Sequence, residues 1–305
     1  MSRYVITGAT SFIGKALVDY LVGQEEDVFV IIQPDSKNID CFSNVDGITT
    51  VIAQLSDVDC WFKEIRFADY FVHLAWCGTK VEERNNPAKQ LKNLEYSKKC
   101  LLGAEKLNCK GFFFAGSQAE YGYKTDKTYE SDICEPFTEY GKYKLLVGER
   151  LKDLSRDLNI NFYHGRIFSV YGVGDHSSTL VSTCVDSFLS NKDMNFTSGE
   201  QCWNFLYIED AVAQVVKLLE SELEGGIYNI AGRETRRLRE FIEEIHHVCK
   251  SKSKMVFGSF SPKERVANLN PSIDKISSVL GNYEFVSFEE GIKNIIKEKG
   301  VNNEN

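Results

Sequence analysis

The chain has 305 residues, of which 43% are hydrophobic and 26% charged, and a formal net charge of −8. That is enough apolar material for a full core in one large domain or two coupled ones. Acidic and basic residues interleave without a basic stripe, which argues against a nucleic-acid partner, although one arginine or helix N-terminus still suffices to hold a phosphate. No apolar run reaches the roughly 18 residues of a membrane span. Met1-Ser2-Arg3-Tyr4-Val5-Ile6 passes straight into a strand pattern, not a signal-peptide core. A cytoplasmic protein with no membrane partner is expected. The nine cysteines (Cys41, Cys60, Cys77, Cys100, Cys109, Cys134, Cys184, Cys202, Cys249) contain no C-x-x-C pair, so reduced thiols, several of them buried, are expected, with neither disulfides nor a metal site.

In chain order, short apolar runs at 4–7, 28–32, 50–53, 71–74, 112–115 and 161–166 predict strands, and amphipathic stretches such as 15–22 and 91–107 lie between most of them. This alternation predicts the α/β class, a parallel sheet with helices on both faces. Continuous apolar runs such as Val28-Phe29-Val30-Ile31-Ile32 fit strands buried on both sides. After Arg166 the pattern loosens through Gly199. A strand at 205–208, a helix at 210–220, a strand at 227–230, a helix at 236–250 and a lysine-rich tail follow.

The first strand runs into Gly8-Ala9-Thr10-Ser11-Phe12-Ile13-Gly14 and then a helix. A glycine at the strand end permits a tight turn, a second permits close packing of helix on strand, and the helix N-terminus offers free N–H groups to a pyrophosphate. This makes Gly8, Thr10, Ser11, Phe12, Ile13 and Gly14 candidate dinucleotide contacts. The residue ending the second strand faces the adenine ribose, where a carboxylate favours NAD and repels a 2′-phosphate. Here Gln33 is neutral while Ser36 and Lys37 suit a phosphate, which predicts a preference for NADP(H). Asp35 keeps NAD(H) open.

Two Y-x-x-x-K matches occur, Tyr123–Lys127 and Tyr140–Lys144. The first lies in a polar stretch and reads as coincidence. The second opens a helical pattern, where a spacing of four puts both side chains on one face. A tyrosine hydroxyl has a pKa of about 10, and an ammonium about 4 Å away favours the phenolate by roughly 4 kcal/mol at an effective dielectric of about 20. Such a tyrosine protonates an alkoxide or deprotonates an alcohol. Ser117, ending the run Phe112-Phe113-Phe114-Ala115-Gly116, supplies a hydroxyl to orient a substrate oxygen. Ser117, Tyr140 and Lys144 are therefore the candidate catalytic set.

These motifs resemble the extended short-chain dehydrogenases/reductases, the NAD-dependent epimerase/dehydratase family. The glycine loop is similar to their G-x-x-G-x-x-G, with Ser11 in place of the middle glycine. Phe71-Val72-His73-Leu74-Ala75, Asn93, Arg166-Ile167-Phe168-Ser169-Val170-Tyr171-Gly172, Phe205-Leu206-Tyr207-Ile208-Glu209-Asp210, Tyr228-Asn229-Ile230 and Asp274 with Leu280-Gly281 extend the likeness over nearly the whole chain. The resemblance implies a Rossmann-type doubly wound parallel sheet with a smaller α/β C-terminal substrate domain. Residues 1–165, with 205–230 returning, would bind the dinucleotide, and 166–204 and 231–305 would cover the substrate. It further implies Leu74, Ala75 and Asn93 along the cofactor, Gln118, Ser169 and Trp203 on the substrate side, a structural role for His73, and a homodimer paired through helices 91–107 and 140–158.

Within the family, sugar 4,6-dehydratases carry Asp-Glu where this chain has Gln118 and Ala119, and reductases that also epimerise at C3 and C5 carry a cysteine at Ala119. Neither activity is expected, and Glu120, one place further on, should face the other way. The resemblance then points to an NADPH-dependent 4-ketoreductase of a nucleotide-diphosphate 4-keto-6-deoxyhexose in cell-surface sugar synthesis, in character like CDP-paratose and CDP-abequose synthases. An NAD-dependent 4-epimerase, a reductase of a non-sugar ketone and a non-catalytic dinucleotide sensor stay open. Ser169 replaces the family's usual asparagine and Trp203 an arginine; Arg233, Arg236 and Arg265 are candidate compensating contacts to the diphosphate.

Overall fold

The computed structural model describes residues 1–80, 82–221, 223–261 and 267–300. The first half contains β1 (Arg3–Thr7), α1 (Phe12–Gly23), β2 (Asp27–Ile32), β3 (Ile48–Ile52), α2 (Val58–Glu64), β4 (Tyr70–His73), α3 (Pro87–Lys106), β5 (Gly111–Ser117), α4 (Glu139–Asp157) and β6 (Asn161–Ile167). The second contains β7 (Ser169–Tyr171), α5 (Leu180–Leu189), β8 (Met194–Asn195), β9 (Cys202–Tyr207), α6 (Ile208–Glu220), β10 (Gly226–Ile230), β11 (Thr235–Arg237), α7 (Leu238–Val248), β12 (Met255–Val256), α8 (Asp274–Leu280) and α9 (Phe288–Glu298).

Seven strands form one parallel sheet in the order β10-β6-β5-β4-β1-β2-β3. Successive strand residues point to opposite faces. Tyr4, Ile6, Val28, Val30 and Phe113 pack under α1, α6 and α8, while Val5, Phe71, Phe112 and Phe114 pack under α2, α3 and α4. Both faces are covered, so both alternations must be apolar, which is why these strands read as unbroken hydrophobic runs. Phe112, Phe113 and Phe114 are fully buried, each worth roughly 1.5–3 kcal/mol of transfer free energy. The α/β doubly wound expectation holds.

Residues 205–207 differ from expectation. They belong to β9, which pairs with β7 and β11 in a separate three-stranded sheet. Phe205 there packs against Phe241 of α7 and Phe288 of α9. The return to the large sheet is made by α6, packed on α1, and by β10, paired with β6. Among the described residues no helix is long and apolar enough to cross a membrane.

Strand order reverses at β1, flanked by β2 and β4. Outside the carboxyl ends of strands at such a switch point the two flanking loops diverge and leave a crevice. That crevice lies between the loop after β1 and the chain leaving β4.

Candidate active site

Gly8 has φ of +77°, and a Cβ there would lie 2.6 Å from the Ala75 nitrogen and 2.8 Å from the Leu74 carbonyl carbon. A Cβ on Gly14 would run into the Gly8 carbonyl oxygen. The two glycines thus press the loop onto β4 and α1 onto the loop. Ser11 caps α1: its hydroxyl accepts from the Gly14 N–H at 3.1 Å and donates to the Gly8 carbonyl at 2.7 Å. A serine in place of glycine is accommodated by this cap, which occupies its hydroxyl inside the loop. The cleft above, about 390 Å³, is lined by Gly8, Thr10, Ser11, Gln33, Ser36, Leu74, Ala75 and Asn93 of the anticipated contacts. Asn93 holds its wall through a reciprocal pair with Cys77, receiving the Cys77 N–H at 2.8 Å and donating to its carbonyl at 3.0 Å.

The remaining anticipated contacts lie elsewhere. Gly14 packs behind the loop, Phe12 joins the apolar cluster of the C-terminal part, and Ile13 lines the adjoining cavity. Exposed Lys37 is not among the cleft-lining residues, whereas Asp35 is. His73 is fully buried between the Thr7 hydroxyl (2.7 Å) and the Ser97 hydroxyl (2.9 Å). Burial and the nearby Lys144 charge push its pKa down to about 3, so it stays neutral.

A second cavity of about 250 Å³ shares Ser11, Leu74, Trp76 and Thr79 with the cleft. Ser117, Gln118, Tyr140, Lys144 and Ser169 converge on it. β5 delivers Ser117 at its last residue, and Thr138 caps α4 by accepting the Gly141 N–H at 3.1 Å, which sets Tyr140 in the first helical turn. Lys144 donates to the Ala115 carbonyl at 2.6 Å and lies 3.8 Å from the centre of the Trp76 ring. Trp76 is held in turn by its indole N–H on Gln90 (2.9 Å) and meets Tyr140 edge-on.

The electrostatics differ from the sequence expectation of a lysine-activated phenolate. Burial pushes the Tyr140 phenol above its ordinary range, while neighbouring Ser117 and Arg84 draw it back. Burial also lowers Lys144 to about 7, with the Glu120 charge opposing. Desolvation disfavours whichever form of a group is charged. Tyr140 therefore stays protonated at neutral pH and is set up to give a proton.

A model of the NAD dependent epimerase/dehydratase family matches residues 4–231. The chain belongs to this family. Among curated relatives it is 23% identical to a UDP-N-acetyl-alpha-D-glucosaminuronate decarboxylase of Bacillus cytotoxicus, over 97% of each chain. It is 24% identical to a dTDP-4-dehydro-6-deoxyglucose reductase of Escherichia coli, over 96% of each. The solved UDP-glucose 4-epimerase of Thermotoga maritima superimposes with a TM-score of 0.85 at 20% identity, over 98% of each chain. At that identity the likeness shows the fold.

Other family-like positions have structural employment. Tyr123 stacks on Phe137 and Lys127 pairs with Asp274, both outside the two cavities. Trp203 also lies outside the reaction cavity, packed against the cluster of Tyr121, Phe168, Ala231 and Leu269, because β9 turns that side chain into the interior. Arg236 is engaged by Glu244 and Glu234, and exposed Arg233 lines a separate pocket with Phe205 and Asp210. Arg265 lies outside the described residues. Trp76, Thr79 and Tyr96 line the cavities without having been anticipated. Trp76 carried a signal, a large aromatic directly after a strand's carboxyl end at the switch point.

Proposed function

We propose that the protein is an enzyme, an NADPH-dependent 4-ketoreductase of a nucleotide-diphosphate 4-keto-6-deoxyhexose. The observation that carries this reading is the make-up of the reaction cavity. It joins Ser117, Tyr140 and Lys144, and among its described lining residues there is no carboxylate and no thiol. Dehydration needs an acid–base pair beside the sugar and C3/C5 epimerisation needs a proton-abstracting group. Gln118 and the rest of this wall offer neither, and Ala119 beside it has only a methyl group. Proton transfer to or from one oxygen is what remains, and the protonated Tyr140 favours donation.

The cleft fits a dinucleotide: the Gly8 approach, the free N–H groups at the start of α1 and the Gln33–Ser36 edge match diphosphate and ribose. Bound there, the reduced nicotinamide supplies a hydride to the substrate carbon. Ser117 donates a hydrogen bond to the ketone oxygen and orients it. Tyr140 transfers its phenolic proton to that oxygen as negative charge builds, a contribution typically about 10²–10⁴-fold. Lys144 supplies positive charge beside the developing phenolate. Trp76 and Leu74 keep water from the junction of the two cavities.

The test is to follow nicotinamide absorbance with dTDP-, CDP-, GDP- and UDP-4-keto-6-deoxy sugars. Oxidation of NADPH with one of them is expected; none across the panel overturns the reading. Gln33 and Ser36 favour NADPH, so kcat/KM for NADPH should exceed that for NADH, and equal or better kinetics with NADH would reverse the cofactor assignment. One observation favours a second reading: Asp35 borders the cleft, and a ribose carboxylate suits the tightly held NAD of a 4-epimerase. NAD copurifying with the protein would mark that alternative.

Two further outcomes follow from the same reading. Lys144 must carry its proton, and its pKa lies near 7; a group so depressed is charged below that pH and neutral above it. kcat/KM for ketone reduction should fall as pH rises through about 7, and a flat profile to pH 9 would remove Lys144 from the step. The α3 and α4 helices border an open groove containing Leu94, Leu151 and Leu154. With it covered by a second copy, light scattering should give twice the monomer mass, and a monomer at micromolar concentration would reject the dimer.

A further inference from the structure

Glu120, at the end of the short 3₁₀ turn after β5, is fully buried and absent from the walls of the reaction cavity. Its carboxylate accepts the Ser117 N–H at 2.8 Å and lies 3.0 Å from His164 Nε2 through one oxygen, and accepts Arg166 Nε at 2.9 Å through the other. Ser117 reciprocates, its hydroxyl accepting the Ala119 N–H at 3.2 Å. A buried carboxylate costs several kcal/mol unless it is paired and hydrogen-bonded. Here all three partners face it from β5 and β6.

The turn that carries Glu120 is pressed on the catalytic helix. Gly141, Lys144 and Gly148, spaced three and four apart, share one face of α4. A Cβ on Gly141 would lie 2.5 Å from the Ala119 carbonyl oxygen, and one on Gly148 would strike His164. Lys144 stands between these two contacts and therefore faces the same wall. We propose that Glu120 is a positioning residue: its buried carboxylate seats the Ser117 backbone and supplies the negative charge against which the Lys144 ammonium is held. It touches neither substrate nor cofactor.

The surrounding charges support this assignment. Burial works against the Glu120 charge, yet His164, Arg166 and the Ser117 N–H together hold its carboxyl below the usual range. Among the groups near Lys144, His73 on β4 is neutral, Tyr140 on its own helix is protonated, and Arg84 from the loop before α3 acts on Tyr140. Glu120 opposes the loss of the lysine's charge.

The direct test is ¹³C-lysine NMR of the full chain, with Lys144 assigned by its disappearance in Lys144→Met. In Glu120→Gln the Lys144 midpoint should move down by about one pH unit, the effect of losing the opposite charge that acts on it through the buried wall. Glu120→Asp, which keeps the charge, should restore it to near the wild-type midpoint. An unmoved midpoint in a folded Glu120→Gln protein overturns the proposal, and general loosening of the fold would not give this charge-dependent pattern. If Glu120→Gln does not fold, the wild-type Ser117 amide decides: it should resonate at low field and resist exchange up to about pH 8, and a rapidly exchanging amide overturns the seating role. Where the ketoreductase reading holds, Glu120→Gln should also lower kcat about tenfold with KM little changed, since one preorganising contact is worth roughly a factor of ten. The NMR midpoint is read without any substrate, so failure of this proposal and failure of the ketoreductase reading are separable.

Discussion

On the proposed ketoreductase reading, Tyr140→Phe should lower turnover by about 10²–10⁴-fold while binding of the dinucleotide stays within a few-fold of wild type. The substitution removes one oxygen. The ring keeps its edge contact with Trp76 and its place under the Arg84 guanidinium, 5.5 Å away, and Lys144 keeps its bond to the Ala115 carbonyl. The loss should fall on kcat, because the proton moves only as charge develops on the substrate oxygen. Titrating cofactor fluorescence in parallel with the rate separates binding from chemistry. A Phe variant with full turnover would show that the proton comes from elsewhere and would remove Tyr140 from the mechanism.

Gly8→Val should weaken dinucleotide binding at least tenfold and destabilise the fold by about 2 kcal/mol or more, from a left-handed backbone and a side chain forced against Ala75 and Leu74. In thermal melts that corresponds to a drop of about 3 °C or more. Gly23→Ala is the matched control, since a Cβ there meets nothing within 4 Å. It should be neutral or slightly stabilising. Equal melting temperatures for Gly8→Val and wild type would mean that the loop does not need the conformation described.

The parts of this molecule that were legible in its sequence are those governed by local periodicity. A glycine pair at a strand–helix junction, apolar runs too uniform for a one-faced sheet, and a tyrosine and lysine four apart on a helix each specify geometry over a few residues. The competing Tyr123–Lys127 match could be set aside for the same reason, because its surroundings carry no helical pattern, and it lies in the loop before α4. Glu120 does lie outside the cavity walls, but not by strand alternation: β5 ends at Ser117 and residues 118–120 form a 3₁₀ turn. Alternation could not reveal that His164 and Arg166 wait there, since those partners come from β6, 44 and 46 residues away.

By itself, then, the sequence determined the doubly wound class, the glycine turn between β1 and α1, and the choice of Ser117, Tyr140 and Lys144 as candidates, which the fold brings to one cavity. Each of these follows from spacing along the chain. Tertiary structure decided the rest. Residues 205–207 look like any central strand, yet their sheet is chosen by Phe241 and Phe288 from later helices. Lys37 looks poised for a phosphate, but the turn after β2 brings Asp35 to the cleft instead. The protonation of Tyr140 and Lys144 depends on how completely water is removed around them. Burial is the sum of contacts from β4, β5 and α4 and their loops, and no local pattern encodes that sum.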